Sequence, residues 1–354
     1  MGLRPTHGDE SALLRFIDSK QGYSRLSREW NAFPGNRLCH SALAQVLPYC
    51  FSCPGGSLND YLLSVVLGII EGLTEYLPVS STAHLRIAEA LFHLSLSDGY
   101  WKMYTIVIQL GAILCLPVYF RGRIAKLLST FPRGENGDRT ILNHPLSLVL
   151  IAFVVTAIPS FLLTKVIGKH LESMPIIGWS LLMGGVVMWI VDAAKAKSEA
   201  AGPGAPSSSI RTWKMEAMSL AQAVWIGFCQ IFSGLFPGTS RSMSTIAGGQ
   251  LAGMSRASAL EFSFFLSIPT MAAATGYTLF KSVMGKGENP IGVSQITSNQ
   301  WVLLAIGFVV SYLVAYASVA WFMAWVRKRG FVPFAVYRIV VGILVLAFAA
   351  KLAG

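Results

Sequence analysis

Two glutamates interrupt an apolar stretch of the chain. Glu71 and Glu75 are four residues apart, so on a helix they lie on one face. Ionisable side chains in a segment that lies at lipid depth are costly and usually mark a functional site. A surface helix with a polar loop is the plain alternative, but the flanking residues are too apolar for a solvated face. The pair therefore predicts an acidic site inside an apolar protein.

A polar cluster follows the two glutamates directly. Pro78 ends the predicted helix, and three hydroxyls and an imidazole come next: Ser80, Ser81, Thr82 and His84. Hydroxyl groups beside an imidazole and carboxylates are the residue types of nucleophilic and acid–base catalysis. A single histidine next to a membrane break is often only a hydrogen-bonding loop residue, and this is the plain alternative for His84.

A second stretch repeats the pattern of the first. Ile226–Ser240 aligns with Leu67–Ser81 when Pro237 is laid on Pro78, a shift of 237 − 78 = 159 residues. This alignment matches Ser240 to Ser81 and indicates an internal duplication.

The second stretch continues into a group of residues suited to an anion. A helix is predicted to begin after the Pro-Gly break, so free backbone N–H groups, hydroxyls and a guanidinium come together there. Arginine offers a planar fork for phosphate oxygens. A serine-rich helix cap with a snorkelling arginine is the alternative, and the matching acidic stretch counts against it. The candidate phosphate binders are Gly238, Ser240, Arg241, Ser242 and Thr245.

Composition indicates where such a site must be held. The 354 residues are 53% hydrophobic and 13% charged, too apolar for a soluble domain. The net charge of +11 does not point to nucleic acid, because the basic residues lie in short loops between apolar runs, as in a polytopic membrane protein. Five cysteines form no framework; the lone C-x-x-C of Cys50 and Cys53 lacks partners for a zinc or redox role.

The two aligned stretches are too short and broken to be ordinary spans. Each has an apolar helix of fewer than the roughly 20 residues that cross a bilayer, then a proline-containing break and a second short helix. A non-helical segment at the depth of the lipid chains must be buried in protein or face a water-filled cavity. We expect two re-entrant hairpins, with these helices: Tyr61–Tyr76, Thr82–Leu94, Ala217–Leu235 and Ser240–Gly253.

The remaining apolar runs predict six transmembrane helices: Met103–Phe120, Pro145–Thr164, Pro175–Val191, Phe262–Phe280, Trp301–Val326 and Val332–Ala350. Each hairpin is followed by three spans, an odd number, so the two halves must have opposite orientations. The predicted fold is an all-α polytopic membrane protein built as an inverted repeat.

The domain boundaries follow from this pattern. Residues 1–57 form a polar, poorly ordered extension that lies outside the repeat. Residues 58–194 are the first repeat with its hairpin at 61–94, and residues 195–216 are a linker. Residues 217–354 are the second repeat, with its hairpin at 217–253.

Loop charge predicts the orientation. The loop after the first span, the linker and the last short loop are rich in lysine and arginine, which places them in the cytoplasm. The first hairpin then opens outward and the second inward. Arg338 lies near the start of the last span, where we expect it to snorkel to the cytoplasmic interface.

These motifs resemble one family. E-x-x-x-E with L-P-V-S-S-T-x-H, followed by P-G-x-S-R-S-x-x-T, is similar to the undecaprenyl-pyrophosphate phosphatases of the bacitracin-resistance type. The resemblance runs from about Leu58 to the C-terminus and includes the segment around Gln109. Two positions depart from the family pattern: Ala83 and Met243 stand where glycine is common. Met243 is expected to narrow the phosphate loop.

The resemblance implies hydrolysis of undecaprenyl pyrophosphate to the monophosphate and phosphate in the bacterial cytoplasmic (inner) membrane. This recycles the lipid carrier for cell-wall synthesis, supports cell shape and gives bacitracin resistance. The expected partners are the polyprenyl pyrophosphate and membrane lipids, with no nucleic acid; the sequence leaves open whether the protein is a homodimer.

The resemblance also assigns roles to the matching positions. Glu71 and Glu75 are the acidic pair and the ligands of a divalent cation, Mg²⁺ or Ca²⁺. Ser81 or a water is the nucleophile, with Glu75 or His84 as base, and Arg241 stabilises charge on the transferred phosphoryl group. The substrate binders are Ser80, Thr82, Gly238, Ser240, Ser242 and Thr245.

A transporter or flippase for a phosphorylated polyprenyl lipid is the rival interpretation. Inverted repeats with broken helices near the membrane midplane are typical of secondary transporters. A carrier needs only anion binding, whereas an enzyme needs a nucleophile and a base beside the anion. The cluster at Ser80–His84 favours the enzyme.

Overall fold

The computed structural model describes residues 58–92, 94, 99–135, 137–163, 173–206, 208–284 and 296–352. Their regular secondary structure is helical, apart from one isolated bridge between Thr212 and Met254. The predicted all-α class is therefore confirmed for the described part of the chain. The predicted extension, residues 1–57, lies outside it.

Four short helices form the two predicted helix–break–helix units. The first unit is α1, Leu58–Thr74, and α2, Ser81–Phe92. The second is α7, Leu220–Leu235, which begins with a capping box from Ser219, and α8, Arg241–Leu251. None of the four exceeds 17 residues, so each is shorter than the roughly 20 residues of a spanning helix.

Five helices are long and apolar enough to cross a membrane. They are α3 Gly99–Tyr119, α5 Pro145–Leu162, α6 Met174–Ala201, α9 Arg256–Val283 and α10 Ser298–Arg329. A short amphipathic helix, α4 Arg121–Ser129, follows α3. The sixth predicted span is α11, Val332–Leu352, whose portion Val332–Phe348 falls among the shorter apolar helices.

Helix α6 continues into the predicted linker. Its last residues, 195–201, are rich in alanine, lysine and glutamate, which favour helix even outside a membrane. Asp192, nine residues before the end of α6, is buried. Its carboxylate accepts hydrogen bonds from Arg256 Nε at 2.7 Å, Gln250 Nε2 at 3.0 Å and Phe331 N at 3.0 Å. These bonds join the C-terminal part of α6 to α8 and to the starts of α9 and α11.

Glycines allow the helices that carry the polar residues to pack closely. A side chain at Gly72 of α1 would lie 2.6 Å from the carbonyl oxygen of Ser311 in α10. A side chain at Gly342 of α11 would lie 2.8 Å from the backbone nitrogen of Leu182 in α6. Small residues at such contacts are typical of helix packing in membranes. They fix the end of α1 and the middle of α11, where the polar residues described below are found.

Candidate active site

The two helix–break–helix units meet at one cavity. Its volume is about 210 Å³, and its wall combines both breaks and the starts of α2 and α8. Most of the predicted site residues lie on it: Glu75, Ser80, Ser81, Thr82, Gly238, Ser240 and Arg241. The N-termini of two helices and one guanidinium thus face the same space, which suits a multiply charged anion.

The second helix of each unit is preceded by a serine with a positive φ. Ser80 has φ 75° and Ser240 has φ 70°. Each Oγ accepts a hydrogen bond from the N–H three residues later, Ala83 in one case and Met243 in the other, at 3.4 Å. A positive φ is uncommon for a residue other than glycine and is concentrated at functional sites.

The structural match of Ser80 with Ser240 differs by one residue from the sequence alignment, which matches Ser81 with Ser240. Ser80 and Ser240 differ by 240 − 80 = 160 positions, whereas the prolines differ by 159. The second break has one more residue between its proline and the helix start, because Thr239 has no counterpart there. Arg241 is therefore the structural counterpart of Ser81, the first residue of α2.

Glu75 joins the two units through both of its carboxylate oxygens. Oε1 accepts a hydrogen bond from Arg241 Nη2 in an ion pair. Oε2 accepts one from Ser81 Oγ at 2.5 Å. Only 1% of the Glu75 side chain is exposed, compared with 26% for Arg241. A hydroxyl that donates to a buried carboxylate beside an anion site is the arrangement of a nucleophile with its base.

Glu71 lies one turn before Glu75 and is 1% exposed. Neither of its carboxylate oxygens has a hydrogen-bond partner among the described residues. A buried, unpaired carboxylate is costly unless it holds a proton or binds a cation. The donor set fits Mg²⁺, which proteins commonly bind through one or two carboxylates while substrate phosphates and water supply the other ligands. The described residues form no group of three or more histidine, cysteine or acidic side chains for a metal.

His84 faces a different space. Its Nδ1 lies 2.7 Å from the carbonyl oxygen of Ser80, and its Nε2 lies 2.7 Å from the hydroxyl of Tyr337. Because a carbonyl only accepts, Nδ1 must carry the proton when the ring is neutral, and Nε2 then accepts from Tyr337. The two rings are stacked with their centroids 5.6 Å apart. Both nitrogens are thus occupied, and neither contacts Ser81.

Two predicted phosphate binders lie behind the cavity wall. Ser242 Oγ donates to the carbonyl oxygen of Leu77 at 3.0 Å and so ties α8 to the first break. Thr245 is buried, and its Oγ1 lies 2.6 Å from Ser263 Oγ in α9. The structure therefore gives both side chains contacts that hold α8 in place. Met243, expected to narrow the phosphate loop, lines a separate apolar groove instead.

The expectation for Arg338 is wrong. Instead of snorkelling, its side chain is fully buried. Its guanidinium donates to carbonyl oxygens of both breaks, Pro78 at 2.9 Å and Gly238 at 3.1 Å, and to Ser180 of α6 at 3.2 Å. Within the described part of the chain no carboxylate pairs with it. Arg338 is buried because α11 packs tightly on α6. The position of Arg338 in the sequence does not reveal this packing.

Two polar side chains of the cavity wall were not predicted as site residues. Gln109 of α3 lines the cavity, and its Oε1 accepts a hydrogen bond from Thr275 Oγ1 at 3.3 Å. Its amide N–H groups have no partner among the described residues, so they can donate to a ligand. Ser233, near the end of α7, also lines it. An amide inside an apolar span is itself a signal of function, and this signal could have identified Gln109.

The chain is similar to known proteins over most of its length. Residues 64–344 match the family model described as bacitracin resistance protein BacA. The chain is 62% identical over 296 residues to the undecaprenyl-diphosphatase of Koribacter versatilis (strain Ellin345), covering 83% of this chain and 100% of the relative. It is 39% identical over 292 residues to the undecaprenyl-diphosphatase of Rhizobium etli (strain CIAT 652), covering 82% and 97%. The chain therefore belongs to the bacitracin resistance protein BacA family.

Proposed function

We propose that this multi-pass membrane protein is a phosphatase that hydrolyses undecaprenyl pyrophosphate to undecaprenyl phosphate and phosphate. The observation that carries the proposal is the hydrogen bond from Ser81 Oγ to Glu75 Oε2 inside an anion cavity. Binding alone would not need this pair. The relatives named undecaprenyl-diphosphatase support the same substrate. The product is the lipid carrier for cell-wall polymers, and its recycling accounts for bacitracin resistance in the inner membrane.

The chemistry proceeds in two balanced steps. Ser81 Oγ attacks the terminal phosphorus, its proton passes to Glu75, and the bond from that phosphorus to the bridging oxygen breaks to release undecaprenyl phosphate. Glu75 releases this proton to the solvent. Water then attacks the phosphoserine and passes a proton to Glu75, which gives it to Ser81 Oγ as the Oγ–phosphorus bond breaks, so phosphate leaves and Ser81 is restored. Glu75 is favoured over His84 as the base because it contacts Ser81 directly.

Arg241 has two partners in this scheme. In the free protein it pairs with Glu75, which holds the two helix–break–helix units together around the cavity. When the pyrophosphate enters, the guanidinium can turn from the carboxylate to the phosphoryl oxygens, as a planar fork does well. This exchange would free the Glu75 carboxylate of its ion pair at the moment when it must accept the proton from Ser81. Phosphoryl transfer depends mainly on such positioning and charge stabilisation.

A divalent cation is part of the proposal. Glu71 would be its main ligand, since it has no other partner among the described residues, and Glu75 would add an oxygen only once Arg241 has turned to the substrate. The cation would neutralise charge on the pyrophosphate oxygens. Replacement of Glu71 by glutamine should raise the Mg²⁺ concentration needed for half-maximal activity.

We also propose the inverted-repeat architecture with re-entrant hairpins. Support comes from the packing: α1 lies against α10, and its counterpart α7 lies against α5. Helix α10 is the second span of the second half, and α5 is the second span of the first half, so the first helix of each hairpin packs on the second span of the opposite half. The third spans, α6 and α11, pack on each other, as do the first spans, α3 and α9. A twofold relation between the halves requires each of these pairings.

Phosphate release by the purified protein in detergent tests the function. We expect release of phosphate from undecaprenyl pyrophosphate, and loss of that release after a chelator is added and recovery with Mg²⁺. A lipid carrier would bind the substrate but release no phosphate in detergent, where transport has no meaning.

A further inference from the structure

A second space begins on the other side of the first break. It is a groove of about 450 Å³ between α2 and α11, which we call the α2–α11 groove. From α2 it is lined by His84, Ile87 and Leu91, which are three or four residues apart and so form one stripe. Its volume lies within the range of about 300–1,000 Å³ that is usual for ligand sites.

The facing wall is a matching stripe of α11. Tyr337, Val341, Leu344 and Phe348 line it at spacings of three and four residues. Val345 also lines the groove and belongs to a buried cluster with Ala83 and Ile177, so packed protein and not lipid backs the groove. The groove is thus polar at one end, where His84 meets Tyr337, and apolar along its length.

The polar end adjoins the cavity through one residue. The carbonyl oxygen of Ser80 holds His84, the first groove residue of α2, while Ser80 itself is part of the cavity wall. Thr82, two residues before His84, also lines the cavity. The cavity and the polar end of the groove are thus lined by neighbouring residues at the start of α2, and a molecule with its anionic head in the cavity would have its apolar chain near this end of the groove.

We propose that the α2–α11 groove binds the polyprenyl chain of the substrate next to the pyrophosphate. This inference rests on the proposed function. His84 and Tyr337 are then positioning residues that form the passage between head and chain. This also explains why an imidazole with both nitrogens occupied stands beside the cavity without contacting Ser81.

A second apolar groove, between α6, α7 and α8, is the competing location. Its volume is about 470 Å³, and it also approaches the second break, at Thr239. Its inner end, however, holds Met243, which is 4% exposed and extends toward Gly184. The α2–α11 groove is favoured because its His84 is hydrogen-bonded to the cavity residue Ser80, whereas buried Met243 occupies the inner end of the second groove.

The test compares two substrates of different chain length in detergent, undecaprenyl pyrophosphate and isopentenyl pyrophosphate, which carries a single prenyl unit. Val341→Trp and Leu344→Trp fill the groove. We expect each to lower kcat/KM for the long substrate by about 10-fold or more and to change that for the short one by less than about twofold. Val340→Trp is the matched control: Val340 is adjacent on α11, 49% exposed and outside the groove lining, so both substrates should be unaffected.

Several results would overturn the proposal. If the tryptophan variants in the groove behave like Val340→Trp with the long substrate, the groove holds only bulk lipid. Equal losses with both substrates would mean that the substitutions disturb the cavity and not the chain site. A selective loss in Val187→Trp alone would place the chain in the second groove, which Val187 lines. If the unmodified protein hydrolyses neither substrate, the proposed function itself fails.

Discussion

Ser81 Oγ lies 2.5 Å from Glu75 Oε2, while the other oxygen of the same carboxylate pairs with Arg241 from the second half of the chain. Buried Glu75 therefore connects a candidate nucleophile to a candidate phosphate-binding arginine, which is 166 residues from Glu75 in the chain. The proposed catalysis depends on both contacts of Glu75, the one with Ser81 and the one with Arg241.

Glu75→Gln tests the role of the carboxylate. The amide keeps the shape of the side chain but cannot accept the proton of Ser81. We expect kcat to fall by at least about 10²-fold, the usual contribution of a general base. The protein should still reach the membrane in normal amounts. Hydrolysis of the lipid pyrophosphate at nearly the normal rate would show that Glu75 is not the base.

Arg241→Lys distinguishes a phosphate clamp from a general positive charge. Lysine keeps the charge but loses the planar pair of donors. We expect kcat to fall by about 10²-fold or more, comparable to the loss of one well-placed transition-state donor. If only KM rises and kcat stays the same, Arg241 attracts the substrate without acting in the reaction.

Arg338→Lys tests whether the buried guanidinium positions the two breaks. A single ammonium cannot reproduce the fork that reaches the carbonyl groups of Pro78 and Gly238 together. We expect kcat to fall by about 10-fold even well below the thermal midpoint of the variant, because the two helix starts lose their relative position.

Asp192→Asn is the control for Arg338, since it disturbs a buried ion pair away from the cavity. Asp192→Asn should lower the midpoint of thermal unfolding, while kcat measured well below that midpoint stays within about twofold of normal. If Arg338→Lys behaves in the same way, Arg338 is only structural.

The orientation of the repeats can be measured with cysteines on opposite sides, after the native cysteines are removed. Thr140 is exposed in the loop between α4 and α5, and Asn299 is exposed at the start of α10. In intact cells an impermeant thiol reagent should label Asn299→Cys and leave Thr140→Cys unlabelled, because the positive loops are cytoplasmic. The reverse pattern would turn the first hairpin toward the cytoplasm.

Much of the fold was predictable because apolar runs and prolines are local signals. The breaks at Pro78 and Pro237 end their helices within a few residues of the predicted bounds. The sequence-based bound of the third span was too short, since α6 runs on through a helix-forming but polar segment to Ala201. Hydropathy marks where a membrane segment ends, not where the helix ends.

The site was only partly predictable because contacts between distant helices leave no local signal. The types of Glu75, Ser81 and Arg241 indicated chemistry, and the structure brings them together. Nothing in the sequence near Arg338 indicated that its guanidinium reaches both breaks, because that depends on how α11 packs on α6. The partner of His84 was hidden for the same reason, since Tyr337 lies 253 residues away.

The most direct measurement of the central claim is phosphate release from undecaprenyl pyrophosphate by Ser81→Ala in detergent, beside the unmodified protein and Thr82→Ala. Removal of the nucleophile should lower kcat by at least about 10³-fold, since little catalysis survives the loss of such a group. Thr82→Ala, which removes a neighbouring cavity hydroxyl, should retain far more activity. Turnover by Ser81→Ala within about 10-fold of normal would contradict the account, because a water would then be the nucleophile and the Ser81–Glu75 pair would not carry the reaction.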